Sequence, residues 1–83
     1  MVPVYRRPYE DGELWLGWPT WDERGEHGEM SLKYAYRLEN GRLSRGCPEV
    51  PVRIAIDMVL FAGQHGRLTR QQIRALQAML SRL

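Results

Sequence analysis

Few side chains in this sequence have the type and spacing to do chemistry. Cys47 is the single cysteine, and it precedes Pro48 close to Arg42 and Arg45. A positive neighbourhood stabilises a thiolate, but a thiol nucleophile also needs a base held beside it. The two histidines, His27 and His65, are both distant from Cys47 in sequence. A small buried or half-buried thiol is therefore the expected state. His27 stands among Asp22, Glu23, Glu26 and Glu29, all of them possible metal ligands. Their spacing fits neither a zinc site nor a calcium loop with acids at alternating positions around a fixed glycine, so a solvated acidic loop is expected. Glu10 and Glu13 form a carboxylate pair without an evident pocket to separate their proton affinities. There is no phosphate-binding loop, dinucleotide fingerprint or nucleophile elbow. The expectation is a protein that is not an enzyme, with no cofactor, no metal and no small-molecule substrate.

The densest unusual feature is the stretch ELWLGWPTW, residues 13–21, with Trp15, Trp18 and Trp21 in nine positions. Tryptophan buries a large apolar body and is also a preferred anchor at protein interfaces. In a strand, Trp18 falls on the same side as Leu14 and Leu16, Trp15 on the other, and Trp21 lies beyond Pro19 in a loop. One layer of helices covers one face of a thin sheet, so Trp15 or Trp21 is expected to stay partly exposed. The alternative is that the N-terminal arm VPVYRRPY folds over Trp15 and seals it.

Charge is distributed unevenly. Residues 1–30 hold three basic and seven acidic groups, a net −4, while residues 31–83 hold nine basic and three acidic groups, a net +6. Such a layout can steer a partner or a nucleic acid, and it can equally let two copies pair head to tail. Eleven of the twelve basic residues are arginine, whose planar fork suits anions and buried ion pairs. No apolar run is long enough to span a bilayer, and the start of the chain lacks the apolar segment of a secretory signal. One cysteine and no such signal suggest a reducing, cytoplasmic setting.

These groups must be positioned by one small domain, since 83 residues suffice for a single core. Pro3 and Pro8 mark residues 1–12 as an extended arm, with at most a short edge strand at VPVY. ELWLGW alternates weakly and predicts a strand, and PTWDERGEHGE predicts a loop. In SLKYAYRLENGRLSRG, Leu32, Tyr34, Tyr36 and Leu38 alternate with Lys33, Ala35 and Arg37. Asn40-Gly41 then predicts a two-residue type I′ hairpin in which Glu39 faces Arg42 and Leu38 faces Leu43. The segment 52–61 fits a strand or a helix; Pro51 before it and the GQHG stop after it favour a helix. The last segment is a helix: Thr69 and Gln72 make a capping box, and Ile73, Leu76, Met79, Leu80 and Leu83 share one arc of about 120°. Burying those five side chains would contribute roughly 7–15 kcal/mol before chain entropy is charged. The expected floor is the hairpin face bearing Leu32, Tyr34, Tyr36 and Leu38, which makes both tyrosines core residues.

The stretch VLFAGQHGRLTRQQIRAL resembles the first two helices of winged helix-turn-helix repressors, in which an apolar helix ends at a glycine and LT caps the next. The resemblance covers eighteen residues and does not reach the helix that reads the groove, so no site residue is carried over from that family. If residues 52–61 were a strand, the order of sheet and one amphipathic helix would be similar to the single-strand-binding coactivator family.

The chain therefore reads as α+β: a three-stranded antiparallel sheet over residues 13–46, turning at Asn40-Gly41, with two C-terminal helices over residues 51–83 packed on one face. The expected function is a protein–protein interaction or regulatory module of the adaptor, antitoxin or phage-inhibitor kind. It would bind another protein, or a second copy of itself as a homodimer, through Trp15, Trp18, Trp21, Asp22 and Glu23. The competing expectation is a nucleic-acid binder that holds phosphate with Arg37, Arg42, Arg45, Arg70 and Arg74.

Overall fold

Strand β1 (Val2–Tyr9) reverses over Glu10 and Asp11 and returns as β2 (Gly12–Trp18). The computed structural model describes all residues from 1 to 83. A 3-10 turn at Thr20–Asp22 and the acidic loop lead into β3 (Ser31–Tyr36), and Val50–Pro51 forms the short β4. The strands lie in the order β1-β2-β3-β4, each antiparallel to its neighbour. Helices α1 (Val52–Gln64) and α2 (Arg70–Leu80) follow. This is the expected α+β architecture, an antiparallel sheet followed by two helices, with four strands in place of three. The segment expected as a free arm is a strand paired along its length with β2. Its two prolines are tolerated because β1 is an outer strand, where a missing N–H breaks no ladder.

The Asn40-Gly41 turn forms, but with a different register. Leu38 donates its amide to the Arg42 carbonyl at 2.8 Å, and the one bridge beyond it pairs Arg37 with Leu43. The loop is therefore three residues, Glu39 to Gly41, and the facing pairs slip by one from those expected. Gly41 alone takes a positive φ, 81°, while the Asn40 side chain accepts the Arg42 amide at 2.9 Å. A three-residue turn needs a single left-handed residue, and the asparagine stabilises it as an Asx cap.

Residues 52–61 are helical, so the sheet-plus-single-helix arrangement of the coactivator resemblance is absent. The capping box of α2 is complete: the Gln72 amide donates to Thr69 Oγ1 at 3.1 Å, and the Thr69 amide donates to Gln72 Oε1 at 2.9 Å. Helix α1 makes the direct contact with β3 and β4, whereas α2 has no extensive contact with any other element. Ile73, Met79 and Leu80 stay 41%, 44% and 62% exposed, so most of the burial gain of the α2 stripe is not realised in the single chain.

Alternation along β3 decides which side of the sheet is filled. Ser31, Lys33 and Ala35 are buried, while Leu32, Tyr34 and Tyr36 are exposed. The tyrosines expected as core are thus on the open side, and the lysine expected outside is covered. Helix α1 does lie on the tyrosine face, but too near the β4 edge to roof it. Only eight of the 83 residues are buried, and Ala35 and Cys47 are the hydrophobic ones among them, which is too little core to complete a domain.

Candidate interaction surface

The two faces of the sheet carry different chemistry because the β2–β3 register pairs like with like. Trp15 lies opposite Lys33, and Arg6 of β1 lies opposite Trp15. All three therefore project to one side, where the Arg6 guanidinium stands 5.0 Å and the Lys33 ammonium 5.3 Å from the indole centre. Cations on either side of an indole are attracted to its π face. Glu13 completes the clamp: it accepts the Trp15 Nε1–H and the Arg6 Nε–H, both at 2.8 Å. The Trp15 hydrogen bond first, and Arg6 second, hold the Glu13 carboxyl below its usual range. Lys33, by contrast, is buried and has no acidic partner.

The segment from Leu43 to Cys47 covers this face, with Glu49 as its tie. Glu49 accepts the Thr20 hydroxyl at 2.9 Å and pairs with the Met1 ammonium at 3.0 Å. Burial pushes the Glu49 carboxyl up, but these donors outweigh it and hold the carboxyl below its usual range. A polar recess of about 500 Å³ remains between Trp15, Trp21, Lys33 and Ser44.

The three indoles have separate positions. Trp15 is half-buried in its clamp. Trp18 is half-buried under the acidic loop, where Gly25 approaches it so closely that an added Cβ would lie 2.7 Å from the ring. Gly25 also has a φ of 69°, so both space and backbone require glycine there. Trp21 is 62% exposed. Beside it, Asp22 accepts the amides of Glu26 and His27, both at 3.0 Å, and so organises the loop, while Glu23 points outward.

No family model, curated protein or solved structure matches this chain. Function must be read from the surface itself.

On the opposite face, Leu14 pairs with Tyr34 and Leu16 with Leu32, and Tyr36 continues the row. Tyr9 meets Tyr34 edge-on at 5.9 Å, and Tyr34 lies 6.2 Å from Tyr36. Between this row and Ala55, Met58 and Val59 of α1 runs a groove of about 590 Å³ with almost wholly apolar walls. Desolvation first, then the neighbouring Glu10 and Asp11 carboxylates, push the Tyr34 phenol above its ordinary value. The groove is thus apolar along its floor and acidic at its tyrosine end. A signal for it was present in the sequence, since Tyr34 and Tyr36 alternate with Lys33 and Ala35, but alternation does not say which side is covered.

The remaining candidates lie apart. Arg37 donates to the Gly41 carbonyl at 3.1 Å, Arg42 is exposed beside the turn and Arg45 in the covering segment, and Arg70 and Arg74 are exposed on α2. Cys47 is buried in the covering segment, while His65 packs edge-on against Phe61 at the end of α1. No cluster of His, Cys, Asp and Glu comes together that could hold a metal ion. No helix is long and apolar enough to cross a membrane.

Proposed function

We propose that this protein is a non-enzymatic protein–protein interaction module, and that its contact surface is the tyrosine groove with the apolar sides of α1 and α2. The observation that carries this reading is the exposure of large apolar side chains along the groove and on α1. Tyr34, Tyr36, Met58 and Phe61 are 36%, 43%, 57% and 64% exposed. Contiguous apolar surface of this extent is rare on proteins that act alone and marks sites of association. Aromatic and methionine side chains are enriched at the centres of such interfaces. Trp21 lies on the other face, beside Trp15 and Lys33, and supplies a smaller contact.

The test is binding with one disabled face at a time. Tyr36→Glu should abolish association with any protein partner, while Trp21→Ala should leave it intact. Loss with Trp21→Ala alone would move the contact surface to the tryptophan face and overturn this assignment. A second reading, nucleic-acid binding, draws on Arg70 and Arg74, exposed on a helix without a single acidic residue. It predicts a salt-dependent mobility shift of DNA or RNA that Arg70→Glu with Arg74→Glu removes.

A further inference from the structure

We propose that the groove is filled by helix α2 of a second copy of this chain, docked reciprocally about a twofold axis. This rests on the interaction reading above and names its partner. Each chain carries two unfilled features that complement one another. One is the apolar groove without a roof. The other is the 11-residue helix α2, whose stripe of Ile73, Leu76, Met79 and Leu80 has no floor. If each copy's helix closes the other's groove, both features are satisfied at once. The contact is then isologous, and assembly stops at two.

Surface area points to the same partner. A folded chain of 9.7 kDa ordinarily exposes about 5,100 Å², whereas this one exposes 6979 Å². The surplus of about 1,900 Å² per chain lies within the share that one subunit covers in an obligate dimer, where the two partners together bury about 2,000–5,000 Å². The radius of gyration agrees: it is 14.4 Å, against about 12 Å for a closed domain of this length. A weak encounter partner covers less than this. A second copy is present whenever the chain is.

Charge is matched as well. Arg70 flanks the apolar stripe of α2, about 60° beyond Ile73 around the helix, and that helix holds no acid. Glu10 and Asp11 border the tyrosine end of the groove, near enough to act on the Tyr34 phenol. A docked α2 would bring Arg70 toward carboxylates, which favours this pairing over any in which acidic loops meet.

Sedimentation equilibrium of the full chain reads the outcome. The wild type should have twice the 9.7 kDa mass of one chain. Leu80 and Tyr36 are 62% and 43% exposed in the single chain, so a charge at either leaves the fold of that chain intact. Leu80→Glu and Tyr36→Glu should each weaken the dimer by about 100-fold or more, because each buries a carboxylate in the interface. Mixing the two variants should restore part of the association, since the helix of Tyr36→Glu can enter the groove of Leu80→Glu. A dimer insensitive to both substitutions, or a mixture that stays monomeric, would overturn reciprocal docking. A wild-type monomer that binds an apolar fluorescent dye, with binding lost in Tyr36→Glu, would overturn the second copy and leave the interaction reading standing. A wild-type monomer that binds no dye would overturn both.

Discussion

On one face of the sheet an indole is held between two cations, tied by a carboxylate and covered by a loop; on the other, two tyrosines and two leucines line a groove that a single helix half covers. The same strands build both faces, so backbone geometry does not distinguish them. The difference lies in how each side chain is satisfied. Trp15, Arg6 and Glu13 satisfy one another within the chain through directional contacts of 2.8–5.0 Å. Tyr34, Tyr36, Leu32 and the α1 side chains need area, and the chain does not supply enough. One face is therefore a joint closed within the chain, and the other keeps apolar area exposed.

The contrast can be broken most strongly at the joint. Trp15→Ala should destabilise the fold by about 3 kcal/mol in a denaturant titration, because it removes a large half-buried ring and leaves Lys33 without its indole. Tyr36→Ala should cost the dilute single chain less than about 1 kcal/mol, since that side chain is already 43% exposed. Equal costs at the two positions would erase the distinction between the faces. Gly25→Ala comes next, at about 2 kcal/mol, from the forced positive φ and the collision with the Trp18 ring. It should also shift tryptophan emission as the loop lifts.

The joint should respond to acid. The Glu13 carboxyl titrates lower in the folded chain than its free value of 4.5, so its contribution is complete above that value and is lost as pH falls through the folded one. Tryptophan emission should shift with acidification, and Glu13→Gln should remove that transition. A transition unchanged in Glu13→Gln would show that another carboxylate governs it. The smallest effect is expected at Trp21→Ala, within about 0.5 kcal/mol of wild type, because its ring packs on little of the chain.

Local signals in the sequence determined local structure. Thr69 and Gln72 specify the start of α2, Gly41 specifies a turn, and Pro51 with the GQHG stop favours the helix that residues 52–61 adopt. Each of these depends on backbone hydrogen bonds and dihedral angles within a few residues, which neighbouring side chains alone control. The alternation in β3 likewise established two faces with different residues on each. The turn register, the pairing of residues 2–9 into the sheet and the choice of which β3 face is filled differ from what the sequence suggested. Those depend on contacts between distant segments: Arg6 and Lys33 reach Trp15 only after β1 and β3 flank β2, and residues 43–47 cover Lys33 only once the chain has turned at Gly41. Burial is decided by what arrives over a side chain. Tertiary packing placed the loop over the lysine and left the tyrosines open, which hydrophobicity along the strand alone would have assigned the other way.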